Sequence, residues 1–253
     1  MQNMIRKYEI YRFCQAQGQK YQKSIICRNQ SNGTRDAKNT NDKSDLARID
    51  LTSDSPYELF KEWHEEARKF STSNPNALCL ATVSKDLKVS ARHVFLRQLD
   101  EDGLVIVTDN RSQKAQDLAD VPSAAMSFLW CYINEKNNHM SRQVRIEGKV
   151  EMLPKKDYEH LYEREKIFCK IRSFICNQGR EVNWDELKQK HDQILKEVQN
   201  GKKSLPMPSH FVGFKLFPEM IEFYSAWDHF IADRIKFQRD SLSNTWKHCR
   251  IAA

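Results

Sequence analysis

The chain has 253 residues, of which 40% are hydrophobic and 30% are charged, and its mean hydropathy is −0.74. This length allows one sizeable domain or two small ones, and no apolar run in the sequence is long enough to cross a bilayer. The net charge of +7 permits nucleic acid, anionic lipid or a phosphorylated small molecule as partner, although basic residues spread over solvated faces are the simpler explanation. Without an arginine-rich run or an aromatic RNA-binding signature, we expect neither a nucleic-acid nor a membrane partner.

Cysteine and histidine spacing argues against stabilisation by disulfides or metal. The seven cysteines are odd in number and widely spaced, and no two form a Cys-x-x-Cys pair. The eight histidines include no His-x-x-x-His pair. We therefore expect structural thiols, no metal site and a reducing, cytoplasmic environment.

The amino-terminal residues 1–50 differ in composition from the rest of the chain. Residues 1–34 are basic, with Glu9 as the only acid, and residues 29–49 are polar with almost nothing to bury. This composition predicts a disordered basic tail that ends in a linker. A mitochondrial transit segment is the alternative, because such segments are also basic and poor in acids.

Folded structure is expected to begin near Ser55, where Pro56 and Glu58 form the pattern of a helix start with a capping box. The remaining pattern predicts many short strands and a few helices. Predicted strands cover residues 77–84, 89–97, 104–108, 123–133, 142–153, 211–217, 220–225 and 234–239. Predicted helices start after Ser112 and cover residues 154–166 and 184–199. Strands and helices do not alternate regularly, so we predict a mainly β (α+β) fold, a closed or split β-barrel with peripheral helices.

The predicted strand 142–153 has two different faces. Val144, Ile146 and Val150 make one face apolar, whereas Gln143 and Arg145 begin a polar face. Buried polar groups are costly unless something satisfies them, so we expect this face to meet a ligand or a partner chain.

Three segments could bind an anion. Residues 90–97 carry Arg92 and Arg97, which strand alternation places on opposite faces. Ser112-Gln113-Lys114 offers free N–H groups and a lysine at a helix start. Residues 233–236 place Arg234 on a late strand. Each segment alone is more often a surface ion pair or a simple helix cap.

Taken together and in order, these segments carry a family resemblance. The matching blocks are Asn76-Ala-Leu-Cys-Leu-Ala-Thr82, Ser90-Ala-Arg92, Ser141-Arg-Gln-Val-Arg-Ile-Glu-Gly148, Phe217-Pro-Glu-Met-Ile-Glu-Phe223, Asp233-Arg-Ile235 and Trp246 with Arg250-Ile-Ala-Ala253. The chain from about Leu46 onward resembles the pyridoxamine 5'-phosphate oxidase family. The resemblance implies an FMN-binding split β-barrel over residues 51–253, with a carboxyl-terminal dimerisation region. It further implies a homodimer with FMN at the subunit interface. The activity that it implies is the oxidation of a phosphorylated vitamin B6 vitamer to pyridoxal 5'-phosphate, with O2 as acceptor.

The same resemblance assigns site residues, although it identifies no catalytic residue. The implied FMN-binding residues are Arg92, His93, Val94, Phe95, Thr108, Asp109, Gln113, Lys114, Gln143, Gln178, Gly179, Tyr224 and Arg234. The implied substrate-binding residues are Arg97, Tyr162 and Lys166, and Arg164 and Lys170 are alternatives to Lys166 for the substrate phosphate.

Several positions depart from the family pattern. Gln113 stands where the family usually has arginine, Tyr224 where it has tryptophan and Asp109 where it has asparagine. Phe230 and Ala232 replace an arginine and a histidine of the substrate clamp. Three interpretations therefore stay open: an oxidase that makes pyridoxal 5'-phosphate, a diverged FMN-binding or regulatory paralogue, and an FMN enzyme with another substrate.

Overall fold

The structure is a computed structural model, and it describes residues 44–253. In this range, nine strands form one antiparallel sheet and five α-helices lie outside it. The strands are β1 (Ala77–Val83), β2 (Val89–Phe95), β3 (Gln98–Leu99), β4 (Leu104–Asp109), β5 (Ser123–Ile133), β6 (His139–Met152), β7 (Phe211–Trp227), β8 (Asp233–Arg239) and β9 (Trp246–Arg250). The helices are α1 (Pro56–Phe70), α2 (Gln113–Asp120), α3 (Glu159–Glu163), α4 (Ile167–Ile175) and α5 (Trp184–Gln199).

The sheet is built around two long strands. Its order is β2-β1-β5-β6-β7-β4-β3, with β8 attached to β7 and β9 to β8. β7 pairs with β4 through its first residues and with β8 through its later ones, while β6 follows nearly its whole length. The sheet curls as β7 passes from one set of partners to the other, and the predicted barrel with peripheral helices is confirmed.

Helix α1 covers the apolar face of the sheet. Its Phe60 and Trp63 are at most 2% exposed and meet Phe128 and Phe223 edge to face, with ring centroids 5.2 Å apart in both pairs. The helix begins at Pro56 as predicted, but the predicted capping box is wrong because Ser55 makes no side-chain cap bond. Glu58 instead accepts a hydrogen bond from Lys61 at 2.9 Å.

Five further features differ from the prediction. The strands predicted at 211–217 and 220–225 are one strand, β7, because a bulge keeps the pairing with β6 across the proline. Glu147 pairs with Met220 and Gly148 with Pro218, which leaves Glu219 as the extra residue. Residues 154–166 form a short 3₁₀ turn (Lys155–Asp157) and α3 rather than one helix. Helix α4 and strands β3 and β9 were not predicted, because α4 has no capping side chain and β9 is mostly exposed.

The packed domain also begins before Ser55. Ala47 and Ile49 are buried, and Ile49 N–H donates to Asp233 Oδ2 at 2.8 Å. Arg250 Nη2 donates to the Ile49 carbonyl oxygen at 2.7 Å. The end of the predicted linker is therefore held against β8 and β9, while predictions for residues 1–43 lie outside the described residues.

Two general findings concern the described part of the chain. None of its helices combines the length and the apolar character that a membrane crossing requires. Its cysteines, Cys79, Cys131, Cys169, Cys176 and Cys249, carry free thiols.

Candidate functional site

A cavity of about 440 Å³ opens between β2, the end of β4 and helix α4. We call it the basic cavity. Its lining includes the predicted site residues Arg92, His93, Val94, Phe95, Arg97, Thr108, Asp109, Lys114 and Gln178. The curl of the sheet explains this convergence, because β2 lies at one end of the strand order and β4 lies near the other.

Arg92 is held in place by a buried hydrogen-bonded chain. Its Nη1 donates to Thr82 Oγ1 at 2.6 Å, and the Thr82 hydroxyl donates to Asp117 Oδ2 at 2.6 Å. Asp117 is 2% exposed and also accepts from Gln113 Nε2 at 2.7 Å. The chain fixes the Arg92 guanidinium beside the basic cavity and turns the Gln113 amide toward Asp117, so Gln113 does not line that cavity.

Lys114 is a buried cation without a counter-ion. It is 6% exposed, and its Nζ donates to Thr108 Oγ1 at 3.2 Å. Among residues 44–253, no carboxylate lies within 4.0 Å of it, and burial together with the charge of Arg92 lowers its pKa. A buried charge is costly unless it is paired, so this arrangement suits an anion brought by a ligand.

Asp109 is already paired on the rim of the cavity. Arg111 donates to its two carboxylate oxygens at 2.9 and 2.5 Å. Burial alone would raise the pKa of Asp109, but the hydrogen bonds from Arg111 outweigh this effect and lower it. Asp109 therefore offsets the charge of Lys114 only in part, and the pKa of Lys114 stays lowered. The predicted cap at Ser112 is confirmed, since its side chain accepts from Ala115 N–H.

Arg92 and Arg97 line the same cavity, so the prediction that they point to opposite sides is wrong. β2 ends at Phe95, and Arg97 N–H already bonds to the Val105 carbonyl oxygen of β4 at 2.9 Å. Strand alternation therefore stops before Arg97. Its Nη2 donates to Glu165 Oε1 at 2.5 Å, which neutralises much of its charge.

Three other predicted flavin residues form a separate group across three strands. Gln143 of β6 stands opposite Tyr224 of β7, which stands opposite Arg234 of β8. These residues, which we call the strand cluster, line a shallow cavity of about 370 Å³ with Leu129 and Ser141. Arg234 Nη2 donates to Glu222 at 2.6 Å, while its buried Nε has no hydrogen-bond partner in residues 44–253.

The polar face of β6 is satisfied in part by carboxylates of the same chain, so the prediction that it meets a ligand or a partner chain is wrong for Arg145. Arg145 contacts Glu147 at 2.7 Å and Glu222 at 3.3 Å, and Gln143 belongs to the strand cluster. On the opposite face, Arg142 lies 4.6 Å from the centre of the Trp63 ring and pairs with a glutamate of α1.

The structure does not bring the remaining predicted substrate residues to the basic cavity. Tyr162 is 3% exposed, lies 5.0 Å from the Phe211 ring and donates to the Leu205 carbonyl oxygen at 3.2 Å. Lys166 precedes α4 and is exposed, and Lys170 donates to the Glu163 carbonyl oxygen at 3.0 Å. Like these residues, Arg164 is not part of the cavity lining.

Gly179, Phe230 and Ala232 also lie outside the linings of the basic cavity and of the cavity at the strand cluster. Gly179 has φ +84°, a left-handed conformation that favours glycine. The Phe230 ring lies 5.3 Å from the Trp227 ring, so an aromatic contact occupies the position of the altered clamp.

The basic cavity also contains residues that the sequence did not indicate. Arg172 and Ser173 of α4 line it together with His210. His210 Nε2 donates to the Ser173 carbonyl oxygen at 2.8 Å and so fastens α4 beside the start of β7. Only a prediction of α4 as an amphipathic helix could have placed Arg172 here.

The fold and its cavities place the chain in the class of split-barrel proteins. PhzG from Burkholderia lata has a TM-score of 0.70 at 23% identity, over 83% of this chain and 100% of that structure. A pyridoxamine 5'-phosphate oxidase-related, FMN binding protein from Nostoc punctiforme has a TM-score of 0.58 at 15% identity, over 79% of this chain and 98% of that structure. At these identities, the likeness concerns the fold alone.

Sequence comparison defines the family. Residues 63–182 match the family described as Pyridoxamine 5'-phosphate oxidase, and residues 211–253 match the Pyridoxine 5'-phosphate oxidase C-terminal dimerisation region. The Pyridoxine/pyridoxamine 5'-phosphate oxidase of Salinibacter ruber is 31% identical over 210 residues, 83% of this chain and 94% of that protein. A chloroplastic relative from Arabidopsis thaliana is 32% identical over 204 residues, 78% of this chain and 36% of that protein. The chain belongs to the pyridoxamine 5'-phosphate oxidase family of flavoprotein oxidases.

Proposed function

We propose that this protein binds FMN and oxidises pyridoxamine or pyridoxine 5'-phosphate to pyridoxal 5'-phosphate, with O2 as electron acceptor. The observation that carries the proposal is the buried, unpaired Lys114 beside Arg92 in one cavity of the described residues. A phosphate dianion is the kind of ligand that offsets such a charge, because it accepts several charge-assisted hydrogen bonds. Membership of the family supports the remaining parts of the proposal, which are FMN as cofactor, a phosphorylated vitamin B6 vitamer as substrate and O2 as acceptor.

The residues of the basic cavity fit FMN at its phosphate end. Arg92 and Lys114 would hold the phosphate, and Gln178 and the Thr108 hydroxyl would contact the cofactor next to it. When bound, FMN accepts a hydride from the substrate carbon and passes two electrons to O2, which yields hydrogen peroxide. Cations near the ring system stabilise the negative charge that develops during hydride transfer.

The strand cluster supports a homodimer. Gln143, Tyr224 and Arg234 carry polar groups suited to a flavin ring, yet they line a different cavity from Arg92 and Lys114. A second protomer would bring its strand cluster to the basic cavity of the first. The buried Nε of Arg234, which has no partner within residues 44–253, is then one donor available to the ligand.

The substrate side is less complete than the cofactor side. Arg97 lines the basic cavity but is paired with Glu165, and Tyr162 and Lys166 lie elsewhere. Phe230 and Ala232 supply neither a positive charge nor a side-chain hydrogen bond. These observations favour a second candidate function, that of an FMN-binding paralogue with weak or no oxidase activity.

We expect the purified protein to be yellow and to release hydrogen peroxide when supplied with pyridoxamine 5'-phosphate. Its absorption spectrum reports bound FMN, and a coupled peroxide assay reports turnover. A colourless protein that takes up no added FMN would sink the proposed function. A yellow protein that releases no peroxide would instead support the paralogue.

The double variant Phe230→Arg/Ala232→His should raise turnover of pyridoxamine 5'-phosphate by about a hundredfold, the usual effect of one electrostatic contact in a transition state. Each change restores a polar group at the altered clamp. Steady-state kinetics with peroxide detection measure the gain, and Ile231→Val between the two positions is the matched control. An unchanged rate would place the defect elsewhere, for example at residues 164–170.

A further inference from the structure

Helix α4 brings a third cation to the basic cavity. Arg172 lines that cavity together with Arg92 and Lys114. Its charge is felt at Lys114, where it contributes to the lowered pKa of the lysine. Among residues 44–253, no carboxylate lies within 4.0 Å of the Arg172 guanidinium, so its charge is available to a ligand.

The acids of the cavity do not neutralise this group. Asp109 is bound by Arg111 through both of its carboxylate oxygens, and Glu165 is paired with Arg97. Three cations therefore face a space whose carboxylates already have partners. Asp117 lies 3.8 Å from Arg92 Nη2 and offsets part of its charge, but both arginines still lower the pKa of Lys114. This repulsion is relieved when a dianion binds between the cations.

Gln113 cannot supply the charge that Arg172 carries. Its amide is neutral, donates to the buried Asp117 at 2.7 Å and is absent from the cavity lining. Arg172 reaches the same cavity from another element. α4 is held there by the bond from His210 Nε2 to the Ser173 carbonyl oxygen and by Arg111 Nη2, which donates to the Cys176 carbonyl oxygen at 3.0 Å.

We infer that Arg172 is a phosphate-binding residue for the flavin and supplies the cation that Gln113 does not. The inference rests on the proposed function, since it concerns the phosphate of the same bound FMN. It makes Arg172 a determinant of cofactor specificity. FMN carries a phosphate monoester that riboflavin lacks, so Arg172 favours FMN over riboflavin.

The test compares FMN with riboflavin on the full-length protein stripped of flavin. Quenching of flavin fluorescence gives the two dissociation constants. Arg172→Gln should weaken FMN binding by about tenfold or more and leave riboflavin binding unchanged, because it removes a charged contact to the phosphate alone. Arg172→Lys should retain most of the FMN affinity.

Arg180→Gln is the matched control, because it removes the same charge from an exposed side chain near α4 that does not line the cavity. If Arg172→Gln left the ratio of the FMN and riboflavin dissociation constants unchanged, this result would overturn the inference. So would a variant that raises only the KM for pyridoxamine 5'-phosphate, which would assign Arg172 to the substrate phosphate. A wild-type protein that binds neither flavin would overturn the proposed function itself.

Discussion

Lys114→Met should weaken FMN binding by about a hundredfold and raise the melting temperature of the flavin-free protein. Methionine keeps the length of the side chain but removes the charge that meets the phosphate. In the flavin-free protein, the same change removes a buried cation whose hydrogen-bond partner within residues 44–253 is Thr108. Relief of about 1 kcal/mol would raise the melting temperature by roughly 2–4 °C. Fluorescence titration and thermal melts measure the two effects.

The pH dependence gives this prediction a second signature. Because the pKa of Lys114 is lowered, this lysine loses its proton at a lower pH than an exposed lysine. FMN affinity should therefore fall as the pH rises through that pKa. Over the same window, the flavin-free protein should gain stability, because the unfolded chain binds the proton more tightly than the folded one. In Lys114→Met, both pH dependences should be weaker.

Lys190→Met on the exposed surface of α5 is the control, and it should change neither affinity nor stability. Equal FMN affinity in wild type and Lys114→Met, with melting temperatures that differ as expected, would contradict the assignment of Lys114 to the phosphate. That result would leave intact the description of Lys114 as a buried charge without an ion-pair partner among the described residues.

Gly148→Ala should have the largest effect on folding. A Cβ atom at Gly148 would lie 2.0 Å from the Phe217 carbonyl oxygen and 2.8 Å from its carbon, and both are backbone atoms. The strands must separate at the bulge to admit it, which we expect to cost about 3 kcal/mol. The melting temperature should fall by roughly 6–12 °C, as measured by circular dichroism.

Gly201→Ala is the control for this substitution. Gly201 has φ +68°, and a Cβ atom added there would have no neighbour within 4 Å among the described residues, so only the backbone conformation opposes alanine. We expect a cost of about 1 kcal/mol there. If Gly201→Ala proved as damaging as Gly148→Ala, the close approach of β6 and β7 could not be the reason for glycine at 148.

The sequence predicts the strands well where the burial pattern alternates cleanly. β1, β5 and β6 lie close to their predicted positions, because their apolar residues occur at every second position and fill one core. β7 was divided in the prediction because Pro218 is unusual inside a strand. The bulge that accommodates Pro218 depends on Gly148, a residue far away in the chain, so local sequence could not reveal it.

The candidate site depends more on tertiary contacts. Arg92 and Lys114 could be named from local pattern and family resemblance, whereas Arg172 belongs to a helix without a side-chain cap. The same limit applies to Tyr162. The family resemblance assigns Tyr162 to the substrate, but the structure buries it beside Phe211, because α3 packs there. The face of a short helix that becomes buried depends on its tertiary neighbours, and local sequence does not give their positions.

The separation of the strand cluster from the basic cavity has a consequence for assembly. In the proposed dimer, FMN contacts both protomers. The second protomer completes the FMN site, and bound FMN adds contacts between the protomers. Thermodynamic linkage then requires that FMN strengthen dimerisation by the same factor by which dimerisation strengthens FMN binding. The supply of flavin in the cell would thus set how much of the protein is assembled, as well as how much of it is loaded with cofactor.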